Sequence, residues 1–236
     1  MTRAKAIRIP SLHFGPIWRP TALVVLLVFV GCAAAPPLQL YTLSQGPTSN
    51  EASMSATALD SQPPAQGAPV IEVARVTLPD YLDSRDLVIR RGNSVERSST
   101  GRWASRLSLA ATELLTSQLA ERRPDAWVTD QPQPRAPDYR LRVHISQLDI
   151  TSTGTGIVAA AWEAVPLDVS AEILRGKTRF TLNGSVATDQ DVARFERELF
   201  VRLAGEIDVS SLPPGAAINS DCTHAAPRHC ESRTVR

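Results

Sequence analysis

The side chains able to do chemistry form few groupings in this 236-residue chain. Cysteine and histidine meet once, in Cys222-Thr-His224-Ala-Ala-Pro-Arg-His229-Cys230. Two thiolates and two imidazoles could clip a metal ion, but this spacing is not one of the usual zinc patterns. The other readings are a local disulfide between Cys222 and Cys230, which is the expectation, or a tail without a role. Asp80, Asp83 and Asp86 flank Tyr81 with the spacing of the first ligands of a calcium loop. The glycine and glutamate such a loop needs do not follow, so a solvated turn is expected. His144 stands at an even position of a strand whose odd positions are apolar, which turns it away from the core. No G-x-S-x-G elbow accompanies it. Gly154-Thr-Gly156 lacks the rest of a dinucleotide or phosphate-loop fingerprint. The expectation is a protein that is no enzyme and holds no metal or other cofactor.

The remaining cysteine points to a different chemistry. Arg3, Lys5, Arg8 and Arg19 precede an apolar run from Ala22 to Val30, and no acidic residue comes before Glu51. A positive segment followed by a short apolar one is the pattern of an export signal. The run falls short of the ~20 residues a membrane span needs. Small Gly31 sits before Cys32, and Phe29-Val30-Gly31-Cys32 resembles a lipobox with phenylalanine where leucine is usual. Residues 1–31 are therefore read as a signal peptide, and Cys32 as the acceptor of a diacylglycerol and an N-acyl lipid. Lipidation of Cys32 leaves Cys222 and Cys230 as a pair in an oxidising compartment, where disulfides persist. The four basic residues leave with the signal, so 21 basic side chains face 24 acidic ones, a net of −3. No basic stripe marks the folded part, which argues against a nucleic-acid partner.

The elements that must position these residues follow from hydrophobic periodicity. Residues 32–37 form the lipidated N-terminus and a short tether, whose five residues after the cysteine reach at most ~18 Å. Leu38–Leu43 alternates as a strand does. Residues 46–69, rich in Ser, Thr, Ala, Pro, Gly and Gln, read as a disordered loop insertion. Val70–Leu78 reads as a strand ending at Pro79, and Leu87–Arg91 with Ser94–Ser98 as a hairpin about Gly92-Asn93. Ser99 or Thr100 would cap a helix from about Arg102 to Arg122, with Leu107, Ala111, Leu114, Leu115 and Leu119 facing a sheet. From Tyr139 to Ile145 the apolar residues hold odd positions, but Leu148 and Ile150 hold even ones, which predicts a bulge near Ser146-Gln147. Val165–Ile173 and Phe180–Val186 alternate and would form a hairpin turning at Gly176-Lys177. Thr188-Asp-Gln-Asp191 looks like a capping box opening a helix with Val192, Phe195, Leu199, Leu203 and Ile207 on one face. The fold expected is α/β (α+β-like): a mixed β-sheet with two main helices packed on it, a single domain over 38–212, followed by a disordered tail, 213–236.

Aromatic and apolar residues also stand in irregular places. Tyr81 and Leu82 lie in the Pro79–Asp83 loop, Trp103 at the expected helix start, and Trp162 after a nearly uncharged run. Such residues are core, or they carry the energy of a partner surface.

These segments resemble one family, the PqiC-type auxiliary lipoproteins of ABC-type transport systems. The matching pieces are Tyr41-Thr42-Leu43; Val76-Thr-Leu78-Pro79-Asp-Tyr81-Leu82-Asp83; Leu87-Val-Ile-Arg90 with Asn93; Arg102-Trp103-Ala104; and Trp162. The family usually has Arg-Pro after Tyr-Leu-Asp, where this chain has Ser84-Arg85-Asp86, and often Glu-Pro after Arg-Trp-Ala, where it has Ser105-Arg106. The resemblance implies a non-enzymatic outer-membrane lipoprotein, periplasm-facing, that docks a periplasmic MCE-domain conduit of a lipid transport system to the outer membrane. An inner-membrane permease would complete the system, and the lipoprotein could itself be an oligomer. Tyr81, Leu82 and Trp103 would form or support the partner surface. The alternative is a lipoprotein that binds and carries lipid itself.

Overall fold

The structure, a computed structural model, describes residues 37–44, 67–134, 136–210 and 212. Cys32, Cys222, Cys230, the signal segment and most of 46–69 lie outside the described residues. The elements run β1 (Gln39–Tyr41), β2 (Val70–Val73), β3 (Asp86–Arg91), β4 (Ser94–Trp103), α1 (Leu107–Arg122), β5 (Trp127–Thr129), β6 (Tyr139–Ile150), β7 (Thr155–Pro166), β8 (Leu174–Asn183) and α2 (Asp189–Glu206). With the two helices they make the α+β fold expected, its mixed strands divided between two sheets, β1-β4-β3 and β5-β2-β6-β7-β8. In the larger sheet β2 pairs parallel with β5 and β6, while β6, β7 and β8 run antiparallel. The sheets meet where Arg90 bridges Thr151 and Ser152 N–H donates to the Arg90 carbonyl at 2.9 Å.

Several expectations hold because one physical rule decides each element. The β3–β4 hairpin turns at Gly92, whose φ of 58° suits a residue without Cβ. In β6 the register shifts between Ile145 and Gln147, so Leu141, Val143 and Ile145 on one side of the bulge and Leu148 and Ile150 on the other all reach the core. The stripes of both helices are buried, including Leu107, Leu115, Leu119, Phe195, Leu199 and Leu203. Thr188 caps α2, its hydroxyl accepting from Asp191 N–H at 3.1 Å. The Asp191 carboxylate accepts the Thr188 hydroxyl proton at 2.8 Å, so the expected reciprocal box is half-formed.

Three boundaries differ from expectation. Helix α1 begins at Leu107, because β4 continues through Trp103 to pair with Tyr41 of β1. Ser99 and Thr100 are strand residues, and α1's first residue follows Arg106, which offers no side-chain cap. The Ser98 and Thr100 hydroxyls instead both donate to Asp189 at 2.7 Å, fastening the start of α2 to β4. The hairpin expected to turn at Gly176-Lys177 is β7–β8, and its turn lies at 167–173. Asp168 makes that turn by accepting from Ser170 N–H at 2.9 Å, and Leu167 and Val169 point into solvent. Short β5 had no signal in the sequence pattern.

Close approach explains Gly184. A Cβ on Gly184 would lie 2.2 Å from Phe195 Cδ2, inside the core face of α2. Gly184→Ala is expected to destabilise the fold by about 1–3 kcal/mol through overpacking. Urea unfolding of the variant measures this directly, and an unchanged midpoint would mean that Phe195 does not sit where described.

Candidate functional site

The segments that carry the family resemblance lie far apart in sequence and meet in space. The Pro79 carbonyl accepts from Leu82 N–H at 2.9 Å and Asp83 N–H at 3.2 Å, which closes the loop into a tight turn. The next residues tie this turn to β4 and α1. Ser84 carbonyl accepts from Leu107 N–H, Arg85 carbonyl from Trp103 N–H, and Arg85 Nε donates to the Trp103 carbonyl at 3.0 Å. Tyr41 carbonyl accepts from Ala104 N–H at 2.7 Å, so β1 closes the same knot.

Charge holds the loop from below. Asp83 faces Arg75 and Arg106, each at 3.6 Å, and Arg106 also donates to the Asp83 carbonyl at 3.1 Å. The Ser108 hydroxyl first, then the two guanidiniums, hold the Asp83 carboxyl below the usual carboxylate range, against the effect of its burial. Asp86 lies between Arg97 at 2.9 Å and Arg102 at 3.0 Å. Asp83 and Asp86 therefore answer arginines. Among the described residues no three His, Cys, Asp or Glu side chains are placed to hold a metal ion.

Above the turn sits a polar triad joining three elements. Arg90 Nε of β3 donates to Asp149 Oδ1 of β6 at 2.7 Å, and Tyr81 Oη donates to the same oxygen at 3.3 Å. Arg90 also lies 5.9 Å from the Tyr81 ring centroid. Burial and the Asp149 charge raise the Tyr81 phenol above its ordinary value, so it remains a donor at neutral pH. Beneath the triad a small pocket reaches Glu196 of α2, which is 4% exposed. Burial pushes that carboxyl up to about 8.

The residues singled out for partner contact thus occupy different depths. Tyr81 is 37% exposed, Leu82 5% and Trp103 0%. Tyr81 alone of the three offers its side chain to another molecule, while Leu82 and Trp103 hold the loop from within. His144 is exposed on β6, away from the helices. Sequence reasoning missed Arg90, Asp149 and Glu196. Arg90 stood in a matching motif without a role, and Glu196 carried a signal as a charge at a stripe position of an otherwise apolar helix face; Asp149 carried none.

A model of the ABC-type transport auxiliary lipoprotein component matches residues 52–208. The chain belongs to this family. As a member it is a membrane-anchored lipoprotein associated with an ABC-type transport system, and the family is not a class of enzymes. A solved structure of an uncharacterized protein is similar over 72% of this chain and 95% of its own, with TM-score 0.55 and 14% identity. At that identity the likeness concerns the fold. Protein XCC0632 from Xanthomonas campestris aligns over 59% of this chain and 80% of its own, with TM-score 0.49 and 12% identity. Lipoprotein GNA1162 from Neisseria meningitidis aligns over 58% and 99%, with TM-score 0.30 and 11% identity. No curated protein sequence matches the chain.

Proposed function

We propose that this auxiliary lipoprotein is a tethered adaptor of the outer membrane, anchored by acyl groups on Cys32, that docks the MCE-domain conduit of a lipid transport system. The observation that carries the reading is the hydrogen-bonded Pro79–Asp83 turn. Ion pairs to Arg75 and Arg106 fix its base, and Tyr81 faces outward from it. A partly exposed tyrosine with a guanidinium against its ring is the kind of anchor that carries binding energy at interfaces. A prefolded loop loses little further entropy on docking. The role asks for binding and positioning, with no bond made or broken.

The test is a cross-linked pull-down of tagged protein from whole cells, beside Cys32→Ser and Tyr81→Ala variants. Capture of an MCE-domain protein that needs both Cys32 and Tyr81 is the expected result. Tyr81→Ala should weaken capture by about tenfold while the chain stays folded, because the ring is not core. Capture that never includes an MCE-domain protein sinks the docking role. Unchanged capture by the folded Tyr81 variant removes this loop from it.

A further inference from the structure

The face of the five-stranded sheet turned away from the helices carries a groove of about 610 Å3, within the size range of small-ligand sites. Its walls follow from strand register. Arg142, Glu163 and Arg175 stand opposite one another on β6, β7 and β8, and two residues along, so do His144, Ala161 and Lys177. Between these rows Trp162 and Gly176 are partners in register. Trp162 packs against the core on the helix side and fills the space a side chain on Gly176 would need, since a Cβ there would lie 2.4 Å from its Cε2. On the groove side only backbone lies between the two rows, and Ala161 adds just a methyl group to the floor.

Charge decides what such a groove accepts. Glu163 binds Arg142 at 3.0 Å and Arg175 at 3.6 Å, so one carboxylate braces two guanidiniums across three strands. One negative charge against two leaves that row positive. Lys177, on the facing row, has no ion pair among the described residues. The mature chain is net acidic, so cations gathered on one groove are a local feature rather than the average surface. Guanidinium and ammonium donors on both sides of a shallow apolar floor complement a ligand with an anionic head and an apolar body.

We infer that this groove binds an anionic amphiphile through its phosphate or carboxylate head, between the Arg142–Arg175 row and Lys177, with its apolar part over Ala161. The inference does not rest on the docking role: Arg75 borders the groove and also holds the base of the Tyr81 loop, but Arg142, Arg175 and Lys177, which would bind the head, form no ion pair with that loop. Either can fail alone.

Calorimetric titration of the mature chain from residue 32, carrying Cys32→Ser to leave off the acyl groups, tests it. The probes are monomeric dihexanoyl phosphatidylglycerol, dihexanoyl phosphatidylcholine and inorganic phosphate. Saturable binding of the phosphatidylglycerol alone is expected, weakened about tenfold or more by Lys177→Glu and unchanged by Arg91→Glu on the β3–β4 hairpin. Lys177 is exposed, so its reversal leaves the core intact. Equal binding of inorganic phosphate would reduce the groove to a simple anion site and overturn the amphiphile. Equal binding of the phosphatidylcholine would overturn the role of charge. No binding, or binding indifferent to Lys177, would overturn the site itself, whatever the pull-down captures.

Discussion

Trp103→Ala is expected to cost about 3–5 kcal/mol of stability, the range for deleting a fully buried large aromatic side chain. The indole is 0% exposed at the end of β4, where that strand passes into α1. Its backbone is held on both sides by Arg85 and lies in register with Tyr41. Deleting the ring would therefore loosen β1, the Pro79–Asp83 turn and the start of α1 together. The Nε1–H is buried without a hydrogen-bond partner among the described residues. An unserved buried donor costs about 1–3 kcal/mol, so Trp103→Phe removes a penalty while it gives up ring volume. The phenylalanine variant should stay within about 2 kcal/mol of the parent. Denaturant titration of both variants separates the roles. A large loss for alanine with a small one for phenylalanine, and normal partner capture by the latter, makes Trp103 a structural support. Normal stability of the alanine variant would mean that the indole is not core.

How far the sequence led to this arrangement depends on the range of the interactions involved. Where one face of an element is buried and the other wet, the period shows. The bulge of β6 was legible as a phase flip, and α2 as a stripe opened by Thr188. Strand β7 was not legible, because Ala159, Ala160 and Ala161 present small apolar side chains to both faces and erase the alternation. The alternation of 165–173 suggested a strand that in fact ends at Pro166, because Leu167 and Val169 alternate in phase yet lie in a turn made by Asp168. Gly176 suggested a turn from composition, whereas its small size answers Trp162 on the neighbouring strand. Trp103 was misplaced onto a helix for a related reason: β4 extends to meet β1, a pairing that no local pattern encodes. The candidate site was legible as motifs but not as a site. Tyr81 and Asp149 are 68 residues apart, and only the fold shows that they share a hydrogen bond.

Glu196→Gln is expected to abolish most of the fall in stability between pH 5 and 8. Burial raises the Glu196 carboxyl from an ordinary value near 4.5 to about 8, so the folded protein keeps a proton that the unfolded chain has released over that interval. The favourable contribution is complete below about pH 4.5 and is lost as pH rises toward 8. Each unit corresponds to about 1.4 kcal/mol, which makes the loss on the order of 3 kcal/mol by neutral pH. Glutamine cannot ionise, so its variant should match the parent near pH 5 and exceed it by about that amount at pH 8. For a chain of this size the difference is roughly 6–12 °C in Tm. The groups facing Glu196 in its pocket sharpen the argument. Tyr81 is a neutral phenol, Asp149 is itself an anion, and the one cation, Arg90, is already engaged by Asp149 at 2.7 Å. A charge on Glu196 would thus find no free cation among these residues, and it would form beneath the loop that presents Tyr81. Unfolding measured at pH 5, 7 and 8 decides the matter. Parallel pH curves for the two proteins would mean that Glu196 is ionised in the fold and that a countercharge reaches it, whereas convergence at pH 5 with separation at pH 8 ties the stability of the Tyr81 loop's foundation to one retained proton.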